Sequence, residues 1–94
     1  MQIKITDDAR QALEERATKD NKFNIRIIFQ GYGWGGPRLG LALDEPTAND
    51  EKIPEGKLTF LVEQNIAHIP TVKIDYRNSW MGKGFVVYTD SSGC

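Results

Sequence analysis

The sequence predicts an α+β domain with one N-terminal helix and a sheet-rich remainder of short, mainly antiparallel strands. Three observations lead to this fold class. One stretch near the N-terminus carries apolar residues at helical spacing. The later apolar stretches alternate with a period of two residues, as half-buried strands do. No second long helical pattern separates those stretches, so sheet is expected to dominate the domain.

The helix is predicted to follow a short strand at Gln2–Ile5. Thr6 offers a side-chain oxygen for the N-cap, and Asp7 and Asp8 place negative charge in the first turn. The apolar stripe consists mostly of small residues, which favours close packing: Ala9, Ala12, Leu13 and Ala17. The turn-forming residues 19–22 are expected to end the helix.

Five further strands are predicted from alternating apolar residues, at 23–29, 39–43, 58–62, 72–76 and 85–88. In the first of these, Arg26 and Gln30 face away from the apolar side. Residues 47–56 are polar and rich in turn formers, and residues 64–70 form a second connector.

Length and composition limit the function classes. The 94 residues, with 39% hydrophobic and 27% charged side chains, fit one domain over 1–94 with a flexible tail at 89–94. The net charge of −1 argues against a nucleic-acid partner. No apolar run is long enough to cross a membrane. The N-terminus lacks the apolar stretch of a secretory signal, and the single cysteine cannot form an intrachain disulfide, so we expect a cytoplasmic protein.

A glycine-rich turn, GYGWGG at 31–36, is the most conspicuous motif. Glycines let backbone N–H groups approach a phosphate, but a phosphate loop needs a following helix, and here Pro37 and a strand follow. The structural alternative is a strand-to-strand turn with glycines at positive φ, in which Tyr32 or Trp34 folds back over the sheet. Spacing alone favours the structural alternative.

The other residues with chemical potential are isolated. His68 is the only histidine, and Asp75 is expected to be a solvated strand carboxylate. Trp80 and Met81 form either an exposed contact surface or a cap on the edge of the core. Without paired acids or a nucleophile motif, the sequence predicts no enzyme. On composition alone, we interpret Cys94, the last residue, as incidental to function.

The order of these segments resembles the HesB-like family of A-type iron–sulfur carriers, which includes the IscA proteins. The resemblance covers nearly the whole chain. It rests on IKIT before the helix, NIRIIF before the glycine turn, GGPRLGLALDEP after it, then KIDY, GF and a glycine–cysteine ending. GGPRLGLALDEP is its most specific part and is similar to one subgroup of small HesB-like proteins.

The resemblance implies a compact fold in which a cysteine of the glycine turn and a Cys-Gly-Cys near the C-terminus converge on iron, often across a dimer. Trp34 stands at the turn-cysteine position, before Gly35 and Gly36. In the tail, Ser92, Gly93 and Cys94 stand where two cysteines flank a glycine. Cys94 is therefore the one candidate metal ligand, and the motif is degenerate.

A [2Fe–2S] cluster usually takes four thiolates, and two copies of this chain supply two. The cluster, or iron, is therefore expected to be shared between chains, in a homodimer or with assembly or recipient proteins, unless this form binds none. Some HesB-like relatives carry selenocysteine in this tail. Three interpretations of the ending stay open: a truncation, a selenocysteine replaced by cysteine, and a native end.

Two hypotheses follow. The first is a non-catalytic iron–sulfur cluster assembly or carrier protein with an incomplete set of cysteine ligands. The second is a cluster-free interaction or thiol-redox module of the same fold. In the second hypothesis Tyr32, Trp34 and Trp80 form a binding surface, and Cys94 performs thiol chemistry.

Overall fold

The computed structural model describes residues 1–33, 36–79 and 82–89, and within them the chain forms one helix and seven strands. The elements, in chain order, are β1 (Gln2–Ile5), α1 (Asp7–Asp20), β2 (Asn24–Gly33), β3 (Gly36–Leu43), β4 (Glu51–Glu55), β5 (Leu58–Val62), β6 (Thr71–Ser79) and β7 (Gly82–Thr89). This arrangement confirms the α+β class and its single N-terminal helix.

The strands form two sheets. Sheet A has the order β1-β6-β7, and sheet B has the order β3-β2-β5-β4. The ladders β2–β3, β4–β5 and β6–β7 are antiparallel, whereas β1–β6 and β2–β5 are parallel. The sheets are therefore mixed, with antiparallel pairing in the majority. The strands β3 and β7 contact each other, so the two sheets meet at these edges.

Helix α1 begins and ends as its sequence predicts. The Thr6 hydroxyl oxygen accepts a hydrogen bond from the N–H of Ala9 at 3.2 Å, which satisfies one donor of the first turn. At the other end, Asn21 adopts a left-handed conformation with φ of 53°, and its N–H bonds to the carbonyl groups of Ala17 and Thr18. No helix in the described part of the chain is long and apolar enough to span a membrane.

The core lies between α1 and the sheets. The small stripe of the helix is fully buried at Ala9 and Ala17, so the backbone of α1 approaches the strands closely. Sheet B supplies most of the largest side chains that are shielded from solvent, among them Phe60, Ile25 and Ile27. The apolar faces that the sequence period predicts for α1, β2 and β5 thus pack into the core.

Two features differ from the sequence interpretation. Strand β4 occupies part of the stretch predicted to be a polar connector. Ile53 is the one aliphatic residue of β4 and packs against the core, so the strand carries no alternating apolar pattern to detect. The second difference is on the outer face of sheet B, where Arg26 and Leu61 pair across β2 and β5 and are both buried.

Candidate functional site

The glycine turn joins β2 to β3 in an antiparallel hairpin. Its ladder is regular up to the pair Phe29 and Leu39, after which the register shifts before Tyr32 pairs with Pro37. Gly31 lies in this shift with φ of 99°, a conformation that a β-carbon disfavours. A local irregularity of this kind, a β-bulge, increases the twist of a hairpin. Gly31 therefore bends the strand.

Gly33 serves a different purpose. Its φ is not positive, which corrects the expectation that every glycine of the turn supplies such a position. A β-carbon at Gly33 would lie 2.8 Å from Cδ of Arg38, so the glycine leaves room for that side chain. Gly33 pairs with Gly36, where β3 begins. Trp34 and Gly35 lie outside the described residues.

Tyr32 does not cover the sheet. Its side chain is 81% exposed and contacts Phe29 edge to face, with ring centroids 5.2 Å apart and an interplanar angle of 74°. Tyr32 therefore does not fold back over the sheet, and for Trp34, which lies outside the described residues, this alternative stays a prediction. Because most of the Tyr32 ring faces solvent and Phe29 supports it, the ring is available for contact with another molecule.

The tail and the second aromatic loop lie beyond the described ranges. This applies to Trp80, Met81, Ser92, Gly93 and Cys94. The strand β7, which leads to the tail, contacts β3, which starts at the glycine turn. The fold thus makes neighbours of the two strands that carry the segments assigned to metal binding by the resemblance.

Metal donors are sparse. Within residues 1–33, 36–79 and 82–89, no three or more His, Cys, Asp or Glu side chains converge on a point that could hold a metal ion. His68 is an exposed residue in the connector before β6. The one cysteine of the sequence, Cys94, lies outside these ranges.

The structure reveals a partly buried ionic cluster around Arg26 that was not predicted. The Arg26 side chain is 10% exposed and donates from Nε to Asp44 at 2.6 Å and from Nη1 to Asp50 at 2.7 Å. Its Nη2 donates to Asp50 and to the Glu45 carbonyl oxygen, at 2.9 and 3.0 Å. Glu63 approaches Nη1 at 3.6 Å. The guanidinium thereby ties β2 to the segment that links β3 and β4.

Hydrogen bonds set the protonation states in this cluster. The Arg26 guanidinium and the N–H of Thr47 lower the pKa of Asp50 to about 2. The same guanidinium and the N–H of Glu45 lower the pKa of Asp44. Asp50 and Asp44 in turn raise the pKa of Arg26. All three groups are charged at neutral pH and stabilise one another.

The cluster borders a polar groove of about 680 Å³ that includes Asn49, Gln64 and Asn65. Both Asp50 oxygens already accept hydrogen bonds, and the guanidinium donates to three residues. We therefore interpret the groove as the surface of an ion-pair cluster that stabilises the fold, and not as a ligand site. The sequence does contain a signal for this cluster. Acidic residues at 44–50 directly follow β3, and β3 pairs with β2, which carries Arg26.

Asp75 also differs in detail from the expected solvated carboxylate. Its side chain is 26% exposed and accepts hydrogen bonds from the Tyr76 N–H at 2.8 Å and the Thr6 hydroxyl at 3.1 Å. Arg77 contacts the other oxygen at 3.4 Å. These contacts, the Tyr76 N–H first, lower the pKa of Asp75. The carboxylate thus links β6 to the start of α1.

No family model and no curated protein matches the sequence. Among solved structures, a crystal structure of IscA with the [2Fe–2S] cluster aligns over 93% of this chain and 84% of its own, with a TM-score of 0.76 and 26% identity.

Two further structures show the same fold. Escherichia coli SufA, involved in the biosynthesis of iron–sulfur clusters, aligns over 94% of this chain and 80% of its own, with a TM-score of 0.75 and 18% identity. A protein from Aquifex aeolicus, solved by NMR, aligns over 94% and 91%, with a TM-score of 0.68 and 21% identity. The resemblance inferred from the sequence is confirmed: this chain has the HesB-like fold of the A-type iron–sulfur carriers.

Proposed function

We propose that this protein assembles or carries iron–sulfur clusters without a catalytic turnover of its own. The observation that supports the proposal is the likeness to IscA, whose structure contains a [2Fe–2S] cluster and which matches nearly the whole chain. In this role the cluster is cargo, taken up from one protein and delivered to another. The expected partners are therefore iron–sulfur assembly and recipient proteins.

Cys94 is the proposed protein ligand, because thiolates are the usual ligands of such clusters and it is the single cysteine of the sequence. One chain then needs ligands from elsewhere: from a second copy, from a partner protein or from glutathione. Trp34, at the position of the turn cysteine, has only an indole N–H donor and coordinates no iron. The proposal therefore predicts a shared cluster.

Anaerobic reconstitution tests this proposal. The protein is incubated with ferrous iron and sulfide, with and without glutathione, and visible absorbance is recorded. We expect a chromophore that contains two irons for every two chains, and we expect Cys94→Ser to abolish it. Size-exclusion chromatography of the coloured species reports whether two chains share the cluster.

Lys52→Glu is the control, because Lys52 is an exposed residue of β4 and carries no ligand chemistry. Its chromophore should equal that of the unmodified protein. A chromophore that persists in Cys94→Ser would contradict the assignment of the ligand. If no chromophore forms under either condition, the carrier proposal is wrong and the cluster-free module, supported by the exposed Tyr32, takes its place.

A further inference from the structure

The two faces of sheet A have different chemistry. On the inner face, Val72 and Ile74 are buried in the core, and Tyr76 and Val87 pack against it. The residues between them point the other way, because successive side chains alternate across a strand. We call this second surface the outer face of sheet A; its members include Lys4, Lys73, Asp75, Arg77, Val86 and Tyr88.

The ladder aligns these residues in rows. Lys4 of β1 pairs with Lys73 of β6, which pairs with Tyr88 of β7, so two cations and one aromatic ring form a line across the sheet. In the next row Asp75 pairs with Val86. Lys4 is exposed, and Tyr88 is 41% exposed. The two ends of this row are thus open to solvent.

Among its described side chains, this face carries the opposite charge to the protein as a whole. Lys4, Lys73 and Arg77 are cationic and Asp75 is the one described carboxylate, whereas the full chain has a net charge of −1. The carboxylate, Asp75, is occupied by Thr6 and Tyr76, and one of its oxygens faces Arg77. Arg77 itself is 64% exposed. A local cationic surface on an acidic protein favours an anionic partner.

We propose that the outer face of sheet A docks an acidic segment of a partner protein. Lys4 and Arg77 attract its carboxylates, while Val86 and Tyr88 offer an apolar contact between them. The inference rests on the proposed function for the identity of the partner, which is the protein that gives or receives the cluster. The docking itself follows from the charge and layout of the face.

The chain connectivity supports this location. Tyr88 lies at the end of β7, and Cys94 follows Thr89 by five residues. Five extended residues span at most about 17 Å. A segment bound beside Tyr88 therefore lies within the maximum reach of the Cys94 thiol.

Other anionic partners fit less well. Nucleic acid and anionic membranes are recognised by dense clusters of cations, about four to eight for a membrane surface. The described side chains of this face include three, with a carboxylate among them. An acidic peptide segment matches this modest charge and also uses the apolar pair.

The experiment is an NMR titration of the ¹⁵N-labelled protein with a synthetic peptide of alternating glutamate and leucine. A peptide with glutamine in place of glutamate is the uncharged reference. We expect the acidic peptide to shift the amides of Lys4, Lys73, Arg77 and Tyr88. The double variant Lys4→Glu/Arg77→Glu should weaken binding by about tenfold or more. Lys4→Glu alone should weaken it in the same direction, without placing a new carboxylate beside Asp75.

The matched control is Lys52→Glu/Lys57→Glu, which changes the net charge equally at exposed residues 52 and 57. Equal weakening by both double variants would overturn the proposal, because binding would then follow net charge. Shifts of these amides by phosphatidylserine vesicles or single-stranded DNA, with none by the peptide, would overturn the partner class. Peptide binding in a protein that forms no chromophore would refute the proposed function and leave the docking face in place.

Discussion

Replacing Arg26 with methionine is expected to lower the melting temperature by at least about 10 °C. Methionine keeps much of the length of the side chain but removes the cation that Asp50 and Asp44 share. The Asp50 side chain is 2% exposed, so its charge would stay buried without a counter-ion. Removing one partner of a buried ion pair costs far more than the intact pair contributes. Thermal unfolding followed by circular dichroism measures the change.

The matched control is Arg16→Met. Arg16 forms an ion pair with Asp20 one helical turn away, but its side chain is 67% exposed. Exposed pairs contribute little, so we expect a change of less than about 4 °C. If the two variants melt at the same temperature, the cluster around Arg26 does not stabilise the fold.

The same cluster predicts sensitivity to acid. The pKa of Asp50 is about 2 in the folded protein, below the ordinary aspartate value of 3.8, so the unfolded chain binds a proton first as the pH falls. The stabilisation that results from the lowered pKa of Asp50 is fully present above about pH 4 and is lost as the pH falls towards 2. The urea midpoint should therefore decrease over this range.

Arg26→Met should show a shallower decrease, because the largest cause of the Asp50 shift is gone. Some slope should persist, since the lowered pKa of Asp75 arises from contacts with Tyr76 and Thr6. Identical slopes in the two proteins would contradict the origin assigned to the acid sensitivity.

The local parts of the fold could be predicted because their causes lie within a few residues. The N-cap at Thr6 and the alternation of Leu58, Phe60 and Val62 are visible in the sequence itself. The cluster around Arg26 was missed because its partners lie 18, 24 and 37 positions away along the chain. Arg26 lies on the face of β2 that points away from the core. Only the folded structure therefore shows that its side chain is shielded from solvent.

The candidate site was predicted to a lesser extent. Glycine spacing indicated a strand-to-strand turn, and the structure confirms a hairpin. Spacing could not distinguish Gly31, which needs its positive φ, from Gly33, which makes room for Arg38. Nor could it decide whether Tyr32 covers the sheet or faces water, because that depends on how the bulge turns the strand. The roles of Trp34 and Cys94 stay predictions.

Phe60→Ala is expected to destabilise the protein by about 3–5 kcal/mol. Phe60 is fully buried on β5, where it pairs with Ile25 of β2 and Ile53 of β4. Removing its ring leaves a cavity that these strands cannot close, since they are held in register by their ladders. A domain of this length has a total stability of about 5–14 kcal/mol, so the variant loses a large share of it.

Tyr32→Ala is the matched control for Phe60→Ala and shows whether the loss of stability comes from burial or from removal of any aromatic ring. It also removes a ring, but one that is 81% exposed and contacts Phe29 only at its edge, so we expect a loss below about 1 kcal/mol. Urea unfolding of both variants at neutral pH measures the difference. Equal losses would mean that the hairpin, and not the centre of sheet B, limits stability. A small loss for Tyr32→Ala beside a large loss for Phe60→Ala would mean that the Tyr32 ring is dispensable for folding. The ring would then be available for binding.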